Sequence, residues 1–158
     1  MKTKPFFIIA ACDEQGGIGF NGRLPWYFPS DLDHFKTITT DTSNNKKENA
    51  IIMGRLTWES IPETFRPLEK RKNIVLSRIA TTITKNVSVC KYLYEAFVCC
   101  DNNSIDKIFI IGGNSVYKEA VSLSNLHGIY LTKIRRTYSC DTFFPEFSTK
   151  NFDEHKLK

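Results

Sequence analysis

Ile108-Phe109-Ile110-Ile111-Gly112-Gly113-Asn114-Ser115-Val116-Tyr117 sets a continuous apolar run before a glycine pair and then a helical pattern. Because the run does not alternate, both of its faces need cover, as in a strand inside a parallel sheet. Strand, tight turn and helix in that order are half of a βαβ unit. Free amides at a helix start also form an anion site, which glycines let a pyrophosphate approach. The same residues suit a plain strand-to-helix turn with Asn114 as the cap, so both uses stay open on the local pattern.

Similar runs rich in Ile and Val recur at residues 6–11, 50–53, 73–76, 87–90, 107–111 and 128–134. Between them lie helical patterns at 31–39, with Leu32, Phe35 and Ile38 on one face, and at 57–61, 93–100 and 115–123. Strand and helix alternate, which predicts an α/β fold: a single domain over 1–158 with a central, mostly parallel sheet flanked by helices. Pro29 and Ser30 announce the first helix, with the serine expected as N-cap and Asp31 and Asp33 in a first turn that favours carboxylates. The polar stretch 39–49 reads as a loop, and no repeat or linker divides the chain.

A chain of 158 residues is long enough to bury about two thirds of its unfolded surface. Its 41% hydrophobic and 25% charged residues place it with soluble globular proteins, far from disordered or membrane compositions. The net charge of +5 is scattered, with short basic clusters such as Lys46-Lys47 and Arg135-Arg136. That argues against a nucleic-acid partner and suits a small anionic ligand. Five cysteines without C-x-x-C spacing and three isolated histidines indicate neither a disulfide framework nor a zinc site, so a reducing cytoplasm is expected. Two early lysines and the apolar run imitate a minimal signal peptide, but the run meets Asp13-Glu14 at once and a buried first strand explains it better. No apolar run approaches the roughly 18 residues of a membrane-spanning helix.

Three further stretches carry candidate chemistry. Gln15-Gly16-Gly17-Ile18-Gly19-Phe20-Asn21-Gly22 is rich in glycine, but its spacing is not G-x-G-x-x-G and no helix signal follows, which leaves a mobile loop beside a pocket as its functional reading. Arg23-Leu24-Pro25-Trp26-Tyr27-Phe28-Pro29-Ser30-Asp31 leads an aromatic segment into a carboxylate. A carboxylate among apolar walls has its pKa raised and can pass a proton near neutral pH; helix capping is the plainer account of the same residue. Arg55, Arg71 and Arg78 stand at strand edges, where a planar fork suits carboxylates and phosphates, although each alone suits a surface charge.

Taken in this order and spacing, from Ile8 to Pro145, these segments resemble the dihydrofolate reductase family. The most specific parts are Gly17-Ile18-Gly19 with Leu24-Pro25-Trp26, Met53-Gly54-Arg55 with Thr57-Trp58-Glu59-Ser60-Ile61, Arg66-Pro67-Leu68, Ile111-Gly112-Gly113 with Val116-Tyr117, and Asp141-Thr142-Phe143-Phe144-Pro145. The resemblance implies reduction of 7,8-dihydrofolate to tetrahydrofolate with NADPH, in support of one-carbon metabolism and of thymidylate and purine synthesis, and a place among antifolate targets. It makes Asp31 the acidic residue that holds the pterin and raises proton availability at N5, with Leu24, Trp26 and Thr132 beside it and Thr132 bonded to its carboxylate. Arg71 would take the glutamate α-carboxylate, and Ala11, Leu24, Leu32, Phe35, Ile61, Leu68, Ile111 and Tyr117 would wall the substrate.

On the cofactor side the resemblance implies Ala11, then Gly17, Ile18, Gly19, Asn21, Gly22, Arg23 and Leu24 in a loop that closes over nicotinamide. Gly54, Arg55, Leu56 and Thr57, with Gly112, Gly113, Asn114, Ser115, Val116 and Tyr117, would hold pyrophosphate and nicotinamide, and a cis peptide would join the glycine pair. Leu76, Ser77, Arg78 and Lys91 would complete the adenosine side, with Arg55, Ser77 and Arg78 on its 2′-phosphate. Residues 152–158 read as the beginning of a strand, and family members continue through another, so the last strand of the family is expected to be missing. The alternative function is a shortened folate- and NADPH-binding homologue with impaired catalysis; a reductase of the kind that acts on a pyrimidine precursor of riboflavin fits Trp26, Asp31 and Arg71 less well. A monomer is expected unless the chain is fused or paired through its short edge.

Overall fold

The apolar runs become the strands of one sheet. A computed structural model describes residues 4–79, 82–150 and 152–155. In chain order the elements are β1 (Phe6–Cys12), β2 (Gly17–Gly19), α1 (Pro29–Thr40), β3 (Glu48–Gly54), α2 (Arg55–Ser60), a 3-10 turn (Glu63–Phe65), β4 (Arg71–Leu76), β5 (Val87–Cys90), α3 (Leu93–Cys99), β6 (Ile105–Gly112), α4 (Asn114–Ala120), β7 (Leu126–Lys133) and β8 (Thr142–Phe143). Six strands form a sheet in the order β5-β4-β3-β6-β1-β7, and every pairing within it is parallel.

Side chains alternate across the strands and so build two cores. Ile8, Ala50, Ile52, Ile74, Ile108 and Ile110 face Leu93, Ala96 and Phe97 of α3 and Val116, Tyr117 and Ala120 of α4. Ile9, Ile51, Met53, Val75 and Phe109 face the other way, onto Trp58 of α2, with Phe35 and Ile38 of α1 packed against them. Each fully buried Ile contributes about 1.5–3 kcal/mol, so a change such as Ile52→Ala is expected to cost about 2–5 kcal/mol. Edge strand β7 has an equally apolar sequence but stays half-buried, because it has a strand neighbour on one side only among the described residues.

From β3 the chain steps outward to β4 and β5; from β6 it steps the opposite way, to β7. Where adjacent strands send their connections in opposite directions, a crevice opens at their carboxyl ends. Here those ends are Gly54 and Gly112, beside which Met53 and Gly112 are register partners.

Several local expectations need correction. α1 begins at Pro29, with Phe28 as N-cap and no side-chain cap, because proline fits the first helical position; Ser30 therefore lies inside the helix, and Asp31 but not Asp33 occupies the first turn. Likewise Gly113 is the N-cap of α4 and Asn114 its first residue. Residues 39–40 complete α1 and 48–49 begin β3, which shortens the expected loop at both ends. β2 and β8 pair antiparallel in a second, two-stranded sheet that the apolar pattern does not announce. Residues 152–155 form no strand; 156–158 lie outside the described residues.

Candidate active site

At the crevice the chain is tightest at the Gly112–Gly113 pair. The Gly112–Gly113 peptide is cis, as the family resemblance implies, and Gly112 has φ 142°. A Cβ on Gly112 would sit 3.0 Å from Thr57 Oγ1, and one on Gly54 would lie 3.5 Å from Val116 Cγ2 and 3.8 Å from the Gly113 amide nitrogen. Tyr117 N–H is the first α4 amide to find a helical acceptor, Gly113 O at 2.9 Å, so the amides of Asn114, Ser115 and Val116 have no partner within the helix. Asn114 and Ser115 are exposed, whereas Val116 and Tyr117 are buried. The Tyr117 hydroxyl donates to Ile9 O at 2.9 Å and burial pushes its phenol up, so it stays a neutral scaffold donor, with its ring packed against Phe144.

The other glycine-rich stretch is a hairpin rather than an open loop. Phe20 and Arg23 exchange both backbone hydrogen bonds, at 2.9 and 3.1 Å, around Asn21 and Gly22 with φ 50° and 75°. Positive φ at both central residues is the type I′ turn that Asn-Gly favours. Asn21 N–H donates to Asp141 Oδ2 at 3.0 Å, and β8 pairs with β2 below the turn.

The root of this hairpin is held by Asp13, which in the sequence marks only the end of the first apolar run. Its side chain, 2% exposed, accepts from Gln15 N at 2.9 Å, Gly17 N at 2.7 Å and Tyr138 N at 2.9 Å. The Tyr138 amide, helped by those of Gly17 and Gln15, holds the carboxyl below its ordinary range although burial opposes. The one available signal was position: an acid directly after a buried strand and before glycines offers backbone amides an acceptor.

On the opposite face, α1 leaves its apolar side uncovered. Leu32 is 45% exposed, Leu24 52%, and Phe35, Ile61, Leu68 and Ile111 are only partly buried against the cluster of Ile9, Ile51 and Met53. At the start of this strip stands Asp31, half-buried, with no side-chain hydrogen bond among the described residues; burial pushes its carboxyl up, against the pull of His34. The bond from Thr132 to Asp31 that the resemblance implies is not formed, although Thr132 is in place as the β7 partner of Ala11. Nearby in sequence, Trp26 is buried against Tyr138, and its indole Nε1–H has no acceptor. A buried orphan donor marks a place for water or a polar ligand atom.

Eight residues further along α1, roughly 12 Å at helical rise, Arg71 Nη1 donates to Thr39 Oγ1 at 3.0 Å. Arg71 Nε donates to Glu69 O at 2.8 Å, and the guanidinium lies 5.9 Å from the Phe35 ring centroid. The side chain is only 8% exposed and has no ion pair among the described residues, and burial lowers its pKa. Arginine stays charged regardless, and beyond the through-space pull of Glu69 its remaining donors have no carboxylate bonded to them among the described residues.

Beyond the crevice, Leu76 ends β4, Ser77 donates its amide to Cys90 O at 2.9 Å, and Arg78 and Lys91 are exposed without ion pairs among the described residues. Arg55 is partly engaged, bonding Glu59 Oε1 at 2.7 Å, and Leu56 is turned out to solvent. Free α4 amides, a glycine cradle and these cations together fit a dinucleotide phosphate chain. Ala11, Gly17, Ile18, Gly19 and Leu24 lie on the two segments that flank it, with Arg23 exposed at the hairpin.

A parallel α/β sheet with paired glycines and free helix amides at its switch point, and an acid-to-arginine strip alongside, is a frame suited to a nucleotide-dependent enzyme. The comparisons make this specific. The family model described as dihydrofolate reductase matches residues 5–158. A dihydrofolate reductase of Aedes albopictus is 43% identical over 92% of this chain and 82% of its own, and one of Heliothis virescens is 41% identical over 99% and 88%. The solved dihydrofolate reductase of Schistosoma mansoni is 38% identical, with TM-score 0.87 over 99% of this chain and 88% of its own. The chain belongs to the dihydrofolate reductase family of oxidoreductases.

Proposed function

We propose that this chain reduces 7,8-dihydrofolate to 5,6,7,8-tetrahydrofolate with NADPH. The reading rests chiefly on the strip along α1: a half-buried carboxyl at Asp31, an apolar middle, and at Arg71 a buried guanidinium with no carboxylate bonded to it among the described residues. Dihydrofolate has the matching order of groups, with a donor-rich pterin, a benzoyl ring and a glutamate carboxylate. Bound NADPH supplies the hydride. Asp31 binds the pterin amino group and ring nitrogen by a charge-assisted pair and raises the effective proton availability at N5 through water. The unpaired Trp26 indole holds the water through which that proton passes. Leu24, Leu32, Phe35, Ile61, Leu68 and Ile111 exclude bulk water, and Arg71 receives the α-carboxylate through its planar fork. Ser77, Arg78, Arg55 and Lys91 select NADPH over NADH by its 2′-phosphate.

An acid in the first turn of α1, apolar side chains along it and an arginine bonded to Thr39 near its far end support a working reductase over an impaired binding homologue. Among the described residues no helix is long and apolar enough to cross a membrane. Five free thiols suit a reducing cytoplasm, and antifolates are expected to occupy the Asp31 end.

The test follows NADPH consumption with dihydrofolate for the parent chain and for Asp31→Asn. The variant should lose about 10²–10⁴-fold in hydride transfer at neutral pH, with partial recovery as pH falls and substrate is protonated in solution. Arg71→Leu should weaken dihydrofolate binding about 30-fold or more while NADPH affinity holds. Parent turnover in Asp31→Asn would move the acid role elsewhere.

A further inference from the structure

β5 ends at Cys90 and α3 ends at Cys99, and the two sulfurs stand 3.7 Å apart. We propose that Cys90 and Cys99 are a reversible thiol–disulfide modification site whose oxidation weakens NADPH binding. The cofactor half of this proposal rests on the reading above; the disulfide half does not.

The two thiols are unlike in a way that suits a pair. Cys90 is buried beside the α3 core, while Cys99 is partly open to solvent, so a small reagent reaches one sulfur and the other waits behind it. Burial, with Cys99 next, pushes the Cys90 thiol up to about 12, and the two sulfurs share a contact in which either can donate. The remaining cysteines lack this arrangement. Cys12 and Cys100 are buried, and the Cys140 thiolate is disfavoured by burial and then by the Asp13 carboxylate 3.8 Å away.

With a low-molecular-weight disulfide such as glutathione disulfide as oxidant, Cys99 loses its proton and its thiolate attacks one sulfur, releasing one small thiol. Cys90 then gives up its proton and attacks the Cys99 sulfur of the mixed disulfide, releasing the second. Two protein thiols are oxidised to one disulfide, and the small disulfide is reduced to two thiols that carry away both protons. The sulfurs must close by about 1.7 Å to reach the bonded distance of about 2.05 Å.

That closure pulls on the cofactor end of the sheet. Cys90 is the register partner of Leu76, its carbonyl holds the Ser77 amide at 2.9 Å, and Lys91 is the next residue. Drawing Cys90 toward α3 therefore shifts the backbone that presents Ser77 and Lys91 to the 2′-phosphate. The substrate strip lies on the other face of the sheet and is not joined to this pair.

The experiment treats the full chain with glutathione disulfide, alkylates free thiols, maps cross-links by mass spectrometry, and titrates NADPH and NADH before and after. A Cys90–Cys99 cross-link that dithiothreitol reverses is expected. NADPH affinity should fall about tenfold, the size of one charge-assisted contact, with NADH affinity changed less than about twofold. Cys99→Ser and Cys99→Ala should bind NADPH like the reduced parent and show neither change on oxidation; Cys90→Ala serves where either fails to fold. A mixed disulfide at Cys99 that never resolves, or no modification there, overturns the site. A mapped cross-link with unchanged NADPH affinity overturns the link to the cofactor. A reduced chain that binds no NADPH refutes that link and the cofactor reading together, while the cross-link map still decides the thiol pair.

Discussion

Two glycine turns in this molecule use the same residue for different reasons. Gly112, with φ 142°, is hemmed in by Thr57 and Tyr117, so it is required for space as well as angle. Gly22, with φ 75°, has nothing within 4 Å of where a Cβ would lie, so it is required for angle alone. The first lies where adjacent strands diverge, at the proposed cofactor cradle; the second caps a solvent-facing hairpin. A glycine-rich sequence therefore marks a ligand cradle only when the fold crowds it.

The sharpest way to break this contrast is Gly112→Ala. The new methyl would stand 3.0 Å from Thr57 Oγ1 at a backbone angle alanine rarely adopts. NADPH affinity is expected to fall about a hundredfold, by roughly 2.7 kcal/mol, and unfolding free energy by about 2 kcal/mol. Cofactor titration and urea denaturation measure both. Near-parent affinity would mean that Thr57 yields and the two turns do not differ in kind.

The contrast also shows what was legible beforehand. Runs such as residues 50–53 and 108–111 announced strands because they are covered on both faces, and burial of that kind leaves an unbroken apolar record. The edge strand β7 left the same record with half the burial, since one strand neighbour and the sheet faces already require apolar residues. β2 was illegible because Gly17 and Gly19 carry no side chain to pattern, although Asn21-Gly22 was a hairpin signal that the absence of strand residues concealed. The family motifs located Asp31 and Arg71, but not that Arg71 lacks a bonded carboxylate among the described residues, which depends on where Glu69 and Thr39 fall in space. Asp13 escaped because three backbone amides, which no sequence displays, converge on it.

Asp13 allows a finer test of the hairpin side. Asp13→Ala leaves the Gly17 and Tyr138 amides without their acceptor, and is expected to lower stability by about 2 kcal/mol with a smaller effect on NADPH affinity than Gly112→Ala. The pH dependence has a definite sign. The folded carboxyl titrates below its ordinary value, so its stabilisation is present above about pH 4 and lost as pH falls through the folded pKa. Asp31 has the opposite sign: its folded pKa is raised, so its contribution is present below the ordinary carboxyl value and lost as pH rises through the folded one. Urea midpoints at pH 6 and pH 3 should show the acid loss in the parent to be shallower in Asp13→Ala. An unchanged acid limb would show that the three amide bonds do not anchor the hairpin.

The smallest effect belongs to Gly22→Ala, and it bears on the comparison most directly. An L residue forced to φ 75° with open space around it costs about 1 kcal/mol, and asparagine there should cost less. Because the turn closes through the Phe20 and Arg23 backbones, the substitution leaves those bonds intact, and NADPH affinity is expected to stay within about threefold. A loss as large as that of Gly112→Ala would require the hairpin tip to meet the cofactor through its own backbone, and the open turn would then become a second cradle when it closes over the site.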